Sequence, residues 1–286
     1  MVVSKVFSDL KTAKYGALGH PEAPFRVLRT HERLTAAGHS PCLPPVTATA
    51  DDVTSLHGPE HLSSIRNGTF SDADGPAFPG MDNIALISLS GALSAADSAL
   101  AGTPAFSLMR PPGHHAGKDR VAGFCYLNNL SLATARLQKT KPGLKVAIVD
   151  FDVHHGDGTQ SLMLGREGVA FLSLHQYPLY PGTGGQNEGN CLNVPLSAGT
   201  DGDRYLRAFE PAFGKILSSK PDILAVSAGF DAYKDDPIAG LKLDKTTFKR
   251  IGALLAQTKL PRFAVLEGGY SEDLPLLVEP FLDGFF

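Results

Sequence analysis

Short runs of β-branched and aliphatic residues alternate along the chain with longer stretches whose apolar positions recur at helical spacing. The runs at 2–7, 105–109, 145–151, 169–174, 223–227 and 263–266 predict strands, and the stretches at 25–37, 84–101, 128–139, 203–217 and 246–257 predict helices. Several of these strands lack the apolar/polar alternation of a half-solvated sheet: 146–149 reads Val-Ala-Ile-Val and 223–226 reads Ile-Leu-Ala-Val. Strands of that kind are covered by helices on both faces, so βαβ units around a mostly parallel sheet are expected. No repeat of fixed period occurs, and the Pro/Gly-rich stretches at 74–80 and 177–189 predict long surface loops within one domain spanning 1–286. Chemically capable residues gather just after the predicted strand ends, at 110–115, 152–157, 175, 231 and 267–270. Open α/β sheets bind ligands at that edge.

Composition adds exclusions more than detail. The 286 residues are 43% hydrophobic and 19% charged, enough to build a sizeable core. A net charge of −3 with scattered Lys and Arg gives no basic face for nucleic acid. The N-terminal stretch lacks the basic and apolar regions of a signal peptide, and no segment approaches the roughly 20 apolar residues that span a bilayer. A cytoplasmic protein with no membrane partner is therefore expected. Cys42, Cys125 and Cys191 form no C-x-x-C pair, which argues against a disulfide framework and against a cysteine metal site.

The densest chemistry is at 146–158, where an apolar strand runs into two aspartates, two histidines and two glycines. Asp150, Asp152 and His154 are spaced by two, so on an extended chain their side chains share one face. Carboxylate and imidazole donors suit Zn²⁺, which in catalytic sites takes three protein ligands and leaves one position for water. A helix cap and core histidines are the plainer alternative. Asp231, after the strand at 223–227 and a glycine, offers a third ligand, although alone it reads as readily as a turn residue. The Pro-Pro-Gly turn before His114 and His115 supplies the irregular backbone that two adjacent histidines need to converge. Glu267-Gly-Gly-Tyr270 ends the last strand with a phenol after two glycines.

Taken together, these motifs resemble the histone deacetylase family of the arginase/deacetylase superfamily, in its bacterial, class II-like branch, which is related to the acetylpolyamine deacetylases. The resemblance rests on Arg-Pro-Pro-Gly-His-His-Ala at 110, Gly-Phe-Cys-Tyr-Leu-Asn-Asn at 123, Asp-Phe-Asp-Val-His-His-Gly-Asp-Gly at 150, Tyr-Pro-Gly-Thr-Gly at 180, Ser-Ala-Gly-Phe-Asp at 227 and Glu-Gly-Gly-Tyr at 267. It implies a three-layer α/β/α fold and a zinc-dependent amidohydrolase that deacylates acyl-lysine side chains with a metal-activated water. Acetylpolyamines or other small amides are the alternative substrates, and a non-catalytic acyl-binding module is a further one.

By the same resemblance Asp152, His154 and Asp231 bind the zinc, with Fe²⁺ possible in such a ligand set. His115 is the general base and acid, His114 its electrostatic partner, and Asp157 and Asp150 orient the two imidazoles. Tyr270 donates to the oxyanion. Asp150, Asp152, His154, Ser173 and Leu174 match a structural potassium site. Phe124 and Tyr180 match the aromatic walls of a narrow acyl tunnel, with Tyr180 standing where Phe is common. Gly123 and Gly269 match substrate-binding positions, and Arg26 resembles an arginine at the tunnel foot, or else is a charge on a helix surface. Ile238 stands where polyamine-selective relatives carry an acidic residue, which favours acyl-lysine over a polycation.

Overall fold

In the computed structural model, which describes residues 4–72 and 75–286, the apolar strands lie side by side in one sheet. The elements in chain order are β1 (Lys5–Phe7), α1 (Phe25–Ala36), α2 (Ala50–Thr54), α3 (His61–Asn67), α4 (Met81–Leu100), β2 (Ala105–Ser107), α5 (Asn129–Thr140), β3 (Val146–Asp150), α6 (Asp157–Met163), β4 (Val169–Gln176), β5 (Cys191–Leu196), α7 (Gly202–Leu217), β6 (Ile223–Ala228), α8 (Lys245–Gln257), β7 (Arg262–Leu266) and α9 (Leu274–Phe285). The strands run in the order β1-β2-β7-β6-β3-β4-β5 with every neighbouring pair parallel. The three-layer α/β/α expectation therefore holds.

Alternate residues of β3 enter different cores, which is why the strand is apolar throughout. Ala147 and Val149 pack with Val27 of α1, Phe209 of α7, Phe248 of α8 and Phe281 of α9. Val146 and Ile148 pack with Leu89 of α4 and Leu130 of α5 on the other face. Residues 2, 3 and 74, which fall in a predicted strand and a predicted loop, lie outside the described residues.

One expectation needs correction, and α2, α3, α6, β5 and α9 are elements that the sequence pattern does not predict. Pro195 hides β5 from a strand pattern, but β5 is an edge strand, where a missing N–H costs no ladder bond. The helix α4 is long and apolar enough, by length and composition, to cross a membrane. It is instead a core helix, with its serines serving neighbouring backbone: Ser90 Oγ accepts from Ala48 N at 2.9 Å and Ser94 Oγ from Val46 N at 3.1 Å.

Candidate active site

Four strand ends supply the site. β3 stops at Asp150 and the chain bends before α6, so Asp150, Asp152 and His154 do not share the face of a continuing strand. The bend arises because each carboxylate captures an amide two residues ahead. Asp150 Oδ1 accepts from Asp152 N at 3.1 Å, and Asp152 Oδ1 accepts from His154 N at 2.9 Å. The three side chains are thereby divided: Asp150 turns to His114, while Asp152 and His154 meet Asp231, which arrives from beyond β6.

His154 Nδ1 lies 3.1 Å from Asp152 Oδ1 and 3.2 Å from Asp231 Oδ2. Donor atoms of Asp152, His154 and Asp231 all fall within 4.8 Å of one another, and all three residues are buried. Asp231 Oδ1 accepts from Val153 N at 2.9 Å, whereas the buried Oδ2 has the His154 ring nitrogen beside it but no hydrogen bond of good geometry. Two buried carboxylates, one with an unsatisfied oxygen, around an imidazole nitrogen form a set that a divalent cation would satisfy. Electrostatics point the same way. Burial opposes charge on His154, yet its bond to Asp152 and the close Asp231 carboxylate outweigh burial and push its pKa up to about 10. Burial and the Asp152 charge raise Asp231, whereas the fields of His114 and His154 overcome burial at Asp152 and hold it well below the carboxylate range.

A close approach by the β7 end completes this centre. Gly268 N donates to Asp152 Oδ2 at 2.7 Å, and a Cβ at Gly268 would stand 2.0 Å from Asp231 Oδ2. Only glycine fits there.

Glu267 shapes the histidine turn, a role that sequence pattern alone does not reveal. Its Oε2 accepts from Gly113 N at 2.7 Å and His114 N at 3.1 Å, and its Oε1 from Ser227 Oγ at 3.1 Å. His114 Nδ1 then sits 3.0 Å from Asp150 Oδ2, and His115 Nδ1 sits 2.7 Å from Asp157 Oδ1. Arg120 donates to the other oxygen of Asp157 and, at 3.3 Å, to the His115 carbonyl. The ring centroids of His114 and His115 are 4.0 Å apart, but their protonation tendencies diverge. The carboxylates Asp152 and Asp150 overcome burial and raise His114 well above the ordinary imidazole value. Burial and then the His114 charge lower His115 to about 3, despite its bond to Asp157.

A cavity of about 240 Å³ opens over this centre, lined by His115, Gly123, Phe124, His154, Tyr180, Ile238 and Tyr270. Leu179, which no motif marks in the sequence, joins them. Gly123, with φ +54°, lets the backbone pass His115, and the Phe124 ring meets the Tyr270 ring edge-on at 5.6 Å. Gly269 does not line the cavity; its carbonyl accepts from Arg26 Nε at 2.7 Å. Arg26 is fully buried and not a surface charge. Glu22 pairs with both Arg26 and Arg110, and the Arg26 guanidinium lies 4.8 Å from the Tyr270 ring centre. Of the residues expected at a potassium site, Asp150 and Ser173 face each other across β3 and β4, and Ser227 joins their level on β6.

His114, Cys125 and Glu267 form a second close group. Their donors are otherwise engaged: Glu267 and His114 hold the bonds above, and burial raises the Cys125 thiol pKa, so it stays protonated.

Residues 20–277 match the family described as the histone deacetylase domain. A probable deacetylase of Methanothermobacter thermautotrophicus is 36% identical over 271 residues, covering 89% of this chain and 82% of its own length. Acetylpolyamine amidohydrolase 1 of Pseudomonas aeruginosa is 40% identical over 177 residues, covering 58% of this chain and 51% of its own. The crystal structure of an acetylpolyamine aminohydrolase from Burkholderia pseudomallei superposes with a TM-score of 0.91 at 25% identity, covering 99% of this chain and 98% of its own.

Proposed function

Because the chain belongs to the histone deacetylase domain family and is a hydrolase acting on amides, we propose that it removes the acyl group from an N-acylated primary amine at the Asp152–His154–Asp231 centre. The observation that carries this reading is the convergence of three ligand side chains, with Asp231 Oδ2 unsatisfied, beneath a mostly apolar cavity. Asp152, His154 and Asp231 would hold a divalent ion, zinc by affinity order and Fe²⁺ as the alternative. When bound, such an ion polarises the acyl carbonyl and lowers the pKa of water. A potassium ion at Asp150, Asp152, His154, Ser173 and Leu174 is part of the same proposal.

The remaining steps belong to the side chains. His115, neutral and oriented by Asp157, takes the proton of the attacking water and returns it to the departing amine. His114, its ring held against Asp150, sets the field beside it. The Tyr270 hydroxyl donates to the carbonyl oxygen as negative charge develops there. Phe124 and Tyr180 admit a slim alkyl stem between their rings.

Two observations bear on the stem. The names of the Pseudomonas and Burkholderia relatives fit a small acylated amine at least as well as acyl-lysine, and they weigh against a choice made on Ile238 alone. On the other side, the cavity wall carries Ile238, and nearby Asp235 is exposed with Lys234 at 3.8 Å. We therefore take acylated primary amines as the class, with acetylpolyamine-type substrates in front. Turnover of acetyl-lysine peptide, acetylputrescine and acetylspermidine by wild type, Tyr270→Phe and His115→Ala tests both levels. Both variants should keep the metal and lose about 10²–10³-fold in kcat, the scale of a lost oxyanion donor. Unchanged rates would refute the assigned roles.

A further inference from the structure

Asp236 has no part in the chemistry above, yet it lies beside the cavity with both carboxylate oxygens engaged. It is 8% exposed. Its Oδ2 accepts from Tyr270 N at 2.8 Å and its Oδ1 from Ile238 N at 3.1 Å. Pro237 between them has no N–H, so the first amide available ahead of Asp236 is that of Ile238. Tyr270 and Ile238 both line the cavity, from segments that follow different strands.

The peptide joining Gly269 to Tyr270 is gripped at both ends. Its carbonyl accepts from the Arg26 guanidinium at 2.7 Å, and its N–H donates to the Asp236 carboxylate. The Arg26 guanidinium thus holds the negative end of the peptide dipole and an Asp236 carboxyl oxygen the positive end. Rotating that peptide, and with it the Tyr270 side chain, would break two hydrogen bonds in a buried place and leave their groups unpaired. A plain turn aspartate in an Asp-Pro sequence would need only the bond to Ile238 N. The bond to Tyr270, 34 residues away, is the one that a local turn does not explain.

We propose that Asp236 is a positioning residue that fixes the Tyr270 donor and the Ile238 wall relative to each other, so that one carboxylate sets both the carbonyl oxygen site and the substrate stem. This rests on the role given to Tyr270 above. Asparagine at 236 keeps the shape but turns one acceptor into a donor, so one of the two amides loses its partner.

The test is a double-mutant cycle: kcat and KM for wild type, Asp236→Asn, Tyr270→Phe and the double variant, each at full metal occupancy, on acetyl-lysine peptide and acetylputrescine. Asp236→Asn alone should lower kcat roughly 10–100-fold, the scale of an ångström-sized misplacement. In the Tyr270→Phe background the same change should cost less than about twofold, because residues that act as a unit are not additive. Asp236→Ser in the same cycle answers the same question should the asparagine variant fail to fold. If the position-236 change lowers kcat by the same factor in both backgrounds, Asp236 serves only the fold and the inference fails alone. If Tyr270→Phe itself leaves kcat unchanged, the role of Tyr270 falls and the inference falls with it.

Discussion

Replacing Gly268 with alanine should cripple the proposed metal centre without altering a single proposed ligand. The added Cβ would stand 2.0 Å from Asp231 Oδ2 and 2.6 Å from Asp152 Oδ2, against 3.4 Å or more in ordinary contact. One carboxylate oxygen must therefore retreat by about 1.4 Å, and metal–ligand distances tolerate only about ±0.2 Å. Both aspartates are fully buried, so neither has solvent to move into. Gly268 has no left-handed φ, and the backbone itself accepts alanine. Changes that merely loosen the groups behind a ligand cost about 10–100-fold in affinity. Displacing two of three ligands should exceed that, a loss of about 3 kcal/mol or more. Competition with a chromophoric chelator measures the affinity directly, and the zinc-dependent rise in melting temperature measures it independently. Wild-type affinity in Gly268→Ala would refute the argument, since Asp152 and Asp231 could not then be binding through the oxygens that face this glycine.

Acid should destabilise the protein through His57. This buried ring accepts from Asn128 N at 3.0 Å through Nε2, donates from Nδ1 to Gly117 O at 2.8 Å, and stacks on His61 at 4.3 Å. Burial and then His61 lower its pKa to about 4. The neutral form is the folded one, so the stability it contributes is complete above about pH 6.5 and is lost as pH falls toward 4. The shift corresponds to about 3 kcal/mol. Urea melts at pH 7.5 and 5 should show His57→Gln less acid-sensitive than wild type, and equal sensitivity would contradict this. Phe151→Ala should cost about 3–5 kcal/mol, because the fully buried ring packs on Phe230, Phe248 and Phe281. A thermal melt shifted by less than about 2 °C would show that the core closes over the gap. Ile238→Glu should shift the ratio of kcat/KM values toward acetylspermidine and away from acetyl-lysine peptide by up to about fivefold, the worth of a partly exposed ion pair. An unchanged ratio would remove residue 238 from substrate choice.

Much of the fold was legible because β3, β6 and β7 are apolar on both faces, a pattern that a sheet covered on both sides imposes. The lost elements had physical reasons: Pro195 interrupts β5, Pro275 and Pro280 interrupt α9, and α2, α3 and α6 are too short to show a helical period. The candidate ligands Asp152, His154 and Asp231 were legible as types and spacings, but the route by which they meet was not. Spacing by two suggested a strand face for Asp150, Asp152 and His154, whereas side-chain capture of amides makes a bend. The roles of Glu267, marked only as part of a motif, and of Glu22 were not legible because each works through bonds to residues distant in sequence, Gly113 and Arg110 among them. A buried charge pattern of that kind leaves no period in the sequence.

Zinc K-edge absorption spectroscopy on the purified chain tests the central claim most directly, since a second buried group, His114, Cys125 and Glu267, offers a sulfur that the Asp152–His154–Asp231 centre lacks. The account predicts one zinc per chain with only nitrogen and oxygen neighbours at about 2.0–2.2 Å. A sulfur neighbour near 2.3 Å, or no stoichiometric metal at all, would contradict it.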